Sequence, residues 1–490
     1  MNAAERMRRP PVRAMALLLA CATAGCSFAP HMQTPAIAVA DTYKELGPWV
    51  AAEPADQLPR QAWWNLYGDA QLDALQRRLI ANSPDLAAAL ARYRQAQAAA
   101  AQLNSALFPN VNANASIQRN HDALDTPLLH LSAPIDYDTN VVGLQAFYEL
   151  DLWGRVRNTV AAGNAQAAAS AADLESARLS LQAELTDDYI VLREFDQEIT
   201  LLNDTVEAYR QALDLTRQRF DSGITSGLDV ARAQNQLDET RSQIAQIQAQ
   251  RALIEHAIAA LVGEDASQFS LAPQIVMLNL PRVPPGLPST LLQRRPDVAG
   301  AQRRMRAANA GIGVARAAYF PDVTLSAAIG YESDQRNGWI QAPNAYWALG
   351  PNLLLDVFDA GKRKAQVAQA RAQYDEAAAQ YRSVALGAFQ QIEDNLSLLD
   401  RYHTADEAER SAVAAAQQAL DYSMTRYQAG AVNYLDVVIS QTAALQSRIE
   451  ALDITTRQLR ASVQLIRALG GGWQDNVTAA LPNAMTSAWR

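Results

Sequence analysis

Two stretches of this chain are versions of one another. Residues 219–230 read RFDSGITSGLDV and residues 426–437 read RYQAGAVNYLDV, with five of twelve positions identical and Phe220 answered by Tyr427. The match does not stop there. Pro84, Asp85, Phe108 and Pro109 fall on Pro296, Asp297, Phe320 and Pro321 in an ungapped alignment of 83–111 with 295–323. LDLWGRVR (150–157) is answered by LDVFDAGKRK (355–364), two residues longer, and Gly263 by Gly470. The order is the same in both halves, so about 200 residues are duplicated and the fold must be built twice. Residues 265–290, with Pro273, Pro281, Pro284, Pro285 and Pro288, read as the linker between a first repeat over 63–264 and a second over 291–473.

Within each copy the pattern predicts helix, strands, helix, helix. Residues 64–107 are rich in alanine and arginine and broken only by Pro84. After Phe108-Pro109 the period changes to two. VNANASIQRN (111–120) and NVVGLQAFYELDL (140–152) predict one hairpin, and VTLSAAIGYES (323–333) and YWALGPNLLLDV (346–357) a second, with Pro351 counting against the last strand. From Ala161 to Asp221 there is no proline. Leu192, Phe195, Ile199, Leu202, Val206, Tyr209 and Leu213 step by three and four, a heptad seam. About 60 helical residues make a rod of roughly 90 Å, too long for a compact domain to bury, so it must lie along others in a long bundle. Ser222-Gly223 and Ala429-Gly430 interrupt these rods, which resume near Leu228 and Leu435. A plain turn between helices explains the glycine. It does not explain why Leu-Asp-Val follows both turns.

The chain's N-terminal residues point to its compartment. Arg6, Arg8, Arg9 and Arg13 precede the apolar MALLLACATA (15–24), a segment too short to span a bilayer, so 1–25 read as a signal peptide. The segment closes on TAGC, similar to a bacterial lipobox, which implies that Cys26 is the lipidated first residue of the mature chain. Ser27, where an aspartate would hold many lipoproteins at the inner membrane, favours the outer one. Residues 26–62 then form a lipid-anchored extended segment and 474–490 a tail. Cys21 leaves with the signal, so the mature chain has no second cysteine for a disulfide. No later apolar run is long enough for a transmembrane helix. The net charge of −9 argues against a nucleic-acid partner. His31, His121, His130, His256 and His403 are scattered, and neither a phosphate-binding loop nor a nucleophile elbow is present, so no catalytic site, metal or cofactor is implied.

Three features together carry a family resemblance: PPGLPSTLLQRRPDVAGAQ (284–302), the paired R-[FY]-x-x-G-x-x-x-x-L-D-V turns, and ALGGGW (468–473). The chain resembles outer-membrane efflux proteins of the TolC/OprM type, in the NodT-like lipoprotein branch, from Cys26 to about Trp473. The resemblance implies a mainly α fold with a small β part. Long helical hairpins would form a periplasmic tunnel, and four strands per protomer would close a twelve-stranded barrel in a homotrimer. Two hairpins in one chain cannot close a barrel, and lipid does not tolerate open edges. It also implies partners: a periplasmic adaptor docking on the tips at Gly223, Ile224, Leu228, Gly430, Ala431 and Leu435, an inner-membrane pump of RND or MFS type, and outer-membrane lipid.

Asp436 falls on a gate position of the family, where three copies would ring the pore with carboxylates. Ile439 stands where a second acidic ring is common. Asp229 and Tyr427 match a pair that hydrogen-bonds between neighbouring hairpins, and Val432 replaces an arginine that helps lock some members. The plainer reading of Asp229 and Asp436 is a favourable charge at a helix N-terminus. The function implied is a passive exit duct for small molecules such as drugs or aromatic compounds. The alternatives are the exit duct of a type I protein-secretion system and a coiled-coil envelope lipoprotein with a scaffolding role.

Overall fold

The computed structural model describes residues 27–33, 35, 43–45, 62–121, 123, 136–281, 283, 295–335 and 337–471. The signal peptide, Cys26, most of 26–62, His130, residues 284–294 of the central signature, Trp473 and the tail 474–490 lie outside them.

The first repeat gives α1 (Ala70–Asn82), α2 (Pro84–Asn104), β1 (Asn110–His121), β2 (Asp136–Glu149), α3 (Arg155–Asp221) and α4 (Gly227–Leu261). The second gives α5 (Pro296–Ala317), β3 (Asp322–Ser333), β4 (Ala345–Leu354), α6 (Lys362–Gln428) and α7 (Tyr434–Ala468). Helices α3 and α6 have 67 residues each and α4 and α7 have 35 each. Pro84 does not kink a helix interior. It stands first in α2, where its missing N–H costs nothing, and α1 ends on Ser83 before it. Helix α3 begins six residues before Ala161 because Asp151 accepts from the backbone of Val156 (3.1 Å) and Arg157 (2.8 Å) and holds its first turn. No helix among the described residues is long and apolar enough to cross a membrane.

Two compact units cut across the repeats. One contains the described parts of Met1–Pro35, with Arg94–Ser170 and Ala301–Tyr381. The other contains the described parts of Ala36–Tyr93, Ala171–Gly300 and Arg382–Arg490. Each draws on both halves of the sequence.

The first unit holds one antiparallel sheet in the order β1-β2-β3-β4. Register sorts its side chains cleanly. The row Ala113, Leu144, Ile329, Trp347 lies on one face, and the next row, Asn114, Gly143, Gly330, Tyr346, on the other. Val111, Ile117, Leu349 and Leu353 share the first face and are exposed with Leu144, Ile329 and Trp347. Asn112, Ser116, Gln118 and Gln145 share the second. An exposed apolar face backed by a polar one is the pattern of a barrel wall in lipid. Within one chain β4 is an outer strand, paired on one side only, and it carries Pro351 opposite Leu325.

The second unit is a bundle of α1, most of α3, and α4 and α7 with the later part of α6. Leu192, Leu202, Tyr209 and Leu213 of the predicted seam are buried, and Phe195, Ile199 and Val206 half-buried. The linker is tied down through buried charge. Asp196 accepts from Arg193 (2.5 Å), from Arg251 (2.7 Å) and from the Gln274 backbone (3.0 Å). Glu255 accepts from the Leu271 backbone (2.8 Å), whose carbonyl accepts from Arg251 (2.7 Å). Each ion is thus both paired and hydrogen-bonded, as burial requires.

Candidate functional site: the paired hairpin tips

All four long helices meet their turns in the second unit. At the first tip, Gly223 N–H donates to Phe220 O (2.8 Å) and Ile224 N–H to Arg219 O (2.8 Å). At the second, Gly430 N–H donates to Tyr427 O (3.0 Å) and Ala431 N–H to Arg426 O (2.9 Å). This is the Schellman closure, which needs a left-handed residue at the position after the cap. Gly223 has φ +71° and Gly430 φ +75°. A Cβ on Gly223 would meet no atom within 4 Å, so the glycine is required by conformation and not by space. Ile224, Leu228, Ala431 and Leu435 are exposed on the tips.

The helices restart on matched caps. Ser226 caps α4 and Asn433 caps α7, so Asp229 and Asp436 both stand at the third helical position. There the copies part. Asp229 completes a capping box, accepting from Thr225 Oγ1 (2.7 Å), Ser226 Oγ (2.9 Å) and Ser226 N (3.3 Å). Burial works against its charge, yet these bonds and Arg232 hold its carboxyl below the ordinary aspartate range. Asp436 uses only its backbone, donating N–H to Asn433 Oδ1 (3.3 Å). Its side chain is exposed and accepts no hydrogen bond from the described residues. Ile439, one turn on, is 59% exposed. The recurrence of Leu-Asp-Val follows: the leucine is exposed, the aspartate stands in the cap, and the valine enters the core, with Val437 fully buried and Val230 half-buried.

That core joins the two hairpins. Tyr209, Ala212 and Leu213 from α3, Ala233 and Leu237 from α4, Tyr427 from α6, and Tyr434 and Val437 from α7 form one buried cluster. Tyr427 is 3% exposed and meets Tyr434 edge-on, with ring centroids 5.4 Å apart. Thr216 Oγ1 donates to Ala212 O (2.8 Å), so the Tyr427 hydroxyl, 3.2 Å away, donates to Thr216. The Arg219 guanidinium lies 4.6 Å over the Tyr427 ring and donates to the Tyr427 carbonyl (2.5 Å). Within this chain, then, the expected Asp229–Tyr427 bond is not made. Both side chains are engaged elsewhere, one in its own cap and the other in the core. Arg219, Thr216 and Tyr434 do not stand out in the sequence as partners of Tyr427, although the arginine heads both copies of the turn. Arg295 of the central signature was also silent. It pairs with Asp297 (2.6 Å) and donates to Ala468 O (3.0 Å) at the end of α7.

A sheet with one apolar and one polar face, carried in one chain with twice-built hairpins of 67- and 35-residue helices, is the pattern of a channel-forming protein of the outer membrane. The chain belongs to the outer membrane efflux protein family, whose model matches residues 75–264 and 287–471. It is 33% identical over 472 residues to the pyoverdine export outer membrane protein OpmQ of Pseudomonas aeruginosa, covering 94% of this chain and 97% of that one. It is 30% identical to the outer membrane protein OprJ of the same species, covering 96% and 98%. The solved outer-membrane channel OprN is similar at a TM-score of 0.83 and 28% identity, over 92% of this chain and 100% of that one. Other relatives are named for toluene, antibiotic and cation efflux. Members of the family are channel proteins, and this chain is an outer-membrane component of an efflux system with a TolC-like fold.

Proposed function

We propose that three copies of the chain close a twelve-stranded barrel and a helical tunnel, and that the assembly is the passive exit duct of a tripartite pump. An adaptor protein of the periplasm would dock on the six tips, and an inner-membrane pump of RND or MFS type would supply the energy and choose the cargo. The cargo is a small molecule, in keeping with relatives named for pyoverdine, toluene, antibiotic and cation export. Cys26 carries the lipid anchor.

Asp436 is the gate residue. The observation that carries this is the asymmetry of the tips: Asp229 is engaged in its capping box, whereas the Asp436 carboxylate is exposed and accepts no hydrogen bond from the described residues. On a three-fold axis three such carboxylates would narrow the opening and attract cations, with Ile439 as an apolar ring one turn on. Asp436→Ala should raise single-channel conductance and abolish block by cobalt or magnesium. Unchanged conductance with unchanged block would remove the gate role.

A further inference from the structure

Residues 27–33 form no helix or strand, yet they are gripped along their length. The Ser27 hydroxyl donates to Asn158 Oδ1 (3.1 Å) in α3. Arg316 donates to Phe28 O (3.1 Å), Asn309 to Pro30 O (2.9 Å) and Tyr374 to Gln33 O (2.7 Å). Asn309, Gly313 and Arg316 lie four and three apart on α5, so one face of that helix reads the backbone of the segment. Gly313 sits between the two polar grips. A Cβ there would lie 2.9 Å from Ala29 N and 2.5 Å from the Asn158 amide, so the segment and the Asn158 side chain that holds Ser27 together occupy the space of a side chain. The Phe28 ring stacks on Phe320 at 4.6 Å and 5°, and Phe320 stacks on Trp153 at 4.8 Å and 24°.

A mere tether between lipid and protein needs none of this, because a flexible polar linker would serve. Ordering seven residues is entropically unfavourable, and the grips on three carbonyls together with the aromatic stack offset it. The groove also draws on both repeats, Trp153 and Asn158 from the first and Asn309 to Phe320 with Tyr374 from the second. It adjoins the strands, since Trp153 follows β2 by four residues and Phe320 precedes β3 by two. We infer that residues 27–33 are a docked clasp. They fill a peptide-binding groove along α5 that exists only when both repeats are in place, and they fix where the N-terminal anchor leaves the first unit relative to the strand ends. The role in anchoring rests on the acylation of Cys26, whereas the docking does not.

The test uses the full chain in native outer membranes. Ala29→Cys reports docking through its rate of labelling by a soluble maleimide. Gly313→Ala favours the helix intrinsically while taking space from Ala29 and from the Asn158 amide, and Phe28→Ala, which leaves α5 and Asn158 unaltered, separates loss of docking from a shift of those helices. In both backgrounds labelling should be about tenfold faster. The yield of SDS-resistant trimer should fall severalfold while the mass of the acylated N-terminal peptide is unchanged. Equal labelling rates in all three backgrounds would show that the segment is not docked. Faster labelling with wild-type trimer yield would show that the clasp couples to nothing. Either result overturns the inference. An unacylated N-terminal peptide in the wild type would instead sink the reading of Cys26 and leave labelling to decide the clasp.

Discussion

Asp229 and Asp436 occupy the same place in two copies of one turn, and their substitution should have opposite consequences. Asp229→Ala removes the acceptor for Thr225 Oγ1, Ser226 Oγ and Ser226 N and breaks the reciprocal cap. Losing an N-terminal cap of this kind costs about 0.5–2 kcal/mol, typically about 1. The pair with Arg232 at 3.7 Å is partly solvated and adds little. A loss of about 1 kcal/mol multiplies the locally opened population by about five. Amide hydrogen exchange across 222–232 should rise by that factor, with conductance close to wild type. Asp436→Ala deletes no hydrogen bond and loses only the favourable charge at the helix N-terminus, about 0.3–1 kcal/mol and screened by salt, so exchange across 429–439 should rise less than across 222–232 while cation block is lost. Because the Asp229 carboxyl is held below its ordinary value of 3.8, its contribution is full above that value. It fades only as pH falls through the lower folded value, so the exchange difference should be flat from pH 5 to 8. Equal exchange effects in the two variants, or equal conductance effects, would refute the division of labour.

Tyr427→Phe keeps the ring and loses only the bond to Thr216, which should destabilise the tip by about 0.5–1.5 kcal/mol, whereas Tyr427→Ala empties the core at about 3–5 kcal/mol. Limited proteolysis of the tips ranks the two, and equal cleavage rates would contradict the buried placement. Gly223→Ala should cost about 1–2 kcal/mol through its left-handed φ alone. Gly263→Ala has a similar φ of +74° and also brings a Cβ to 2.4 Å from Asn82 O, so chemical denaturation should show the larger loss there. Burial, then Asp453 and Glu198, push Glu194 up to about 7 against the Thr456 hydrogen bond and Arg460, which Asp187 pairs at 2.9 Å. The folded chain then holds this proton more tightly than the unfolded one. Stability from this group is fullest below the ordinary glutamate value of 4.5 and declines as pH rises to about 7. Glu194→Gln should flatten that slope in denaturation midpoints between pH 5 and 7, and an unaltered slope would count against it.

The elements were legible where one segment's own pattern decides them. All four strands stand close to where period two puts them, the first long hairpin where its heptad seam puts it, and the second where the duplication does. The edges that differ are set by partners. Strand β2 starts at Asp136, ahead of the apolar alternation, because 136–139 continue the ladder with Gln118–His121. Strand β4 stops at Leu354 because its partner begins at Asp322. At the tips the glycines were readable from their turn, and the Ser226-x-x-Asp229 spacing carried a cap that a gate reading overlooks. Burial of Tyr427 was not readable. It depends on Arg219 and Thr216, which lie 208 and 211 positions away in the chain. No local pattern encodes a contact at that range.

Because β2 pairs with β3 from the other repeat, Glu149 against Thr324, the sheet has a timetable. The second strand pair is complete at Leu354, 205 residues after β2 ends at Glu149, so at about 5–20 residues per second it emerges about 10–41 s after the first. During that interval β1 and β2 are a lone hairpin, marginal in water, with an unpaired edge and an apolar face. Slow, long-range pairing of this kind is where chains aggregate. The half-built sheet must therefore be sheltered until the second repeat arrives, and a chain truncated after the first repeat would never leave that state.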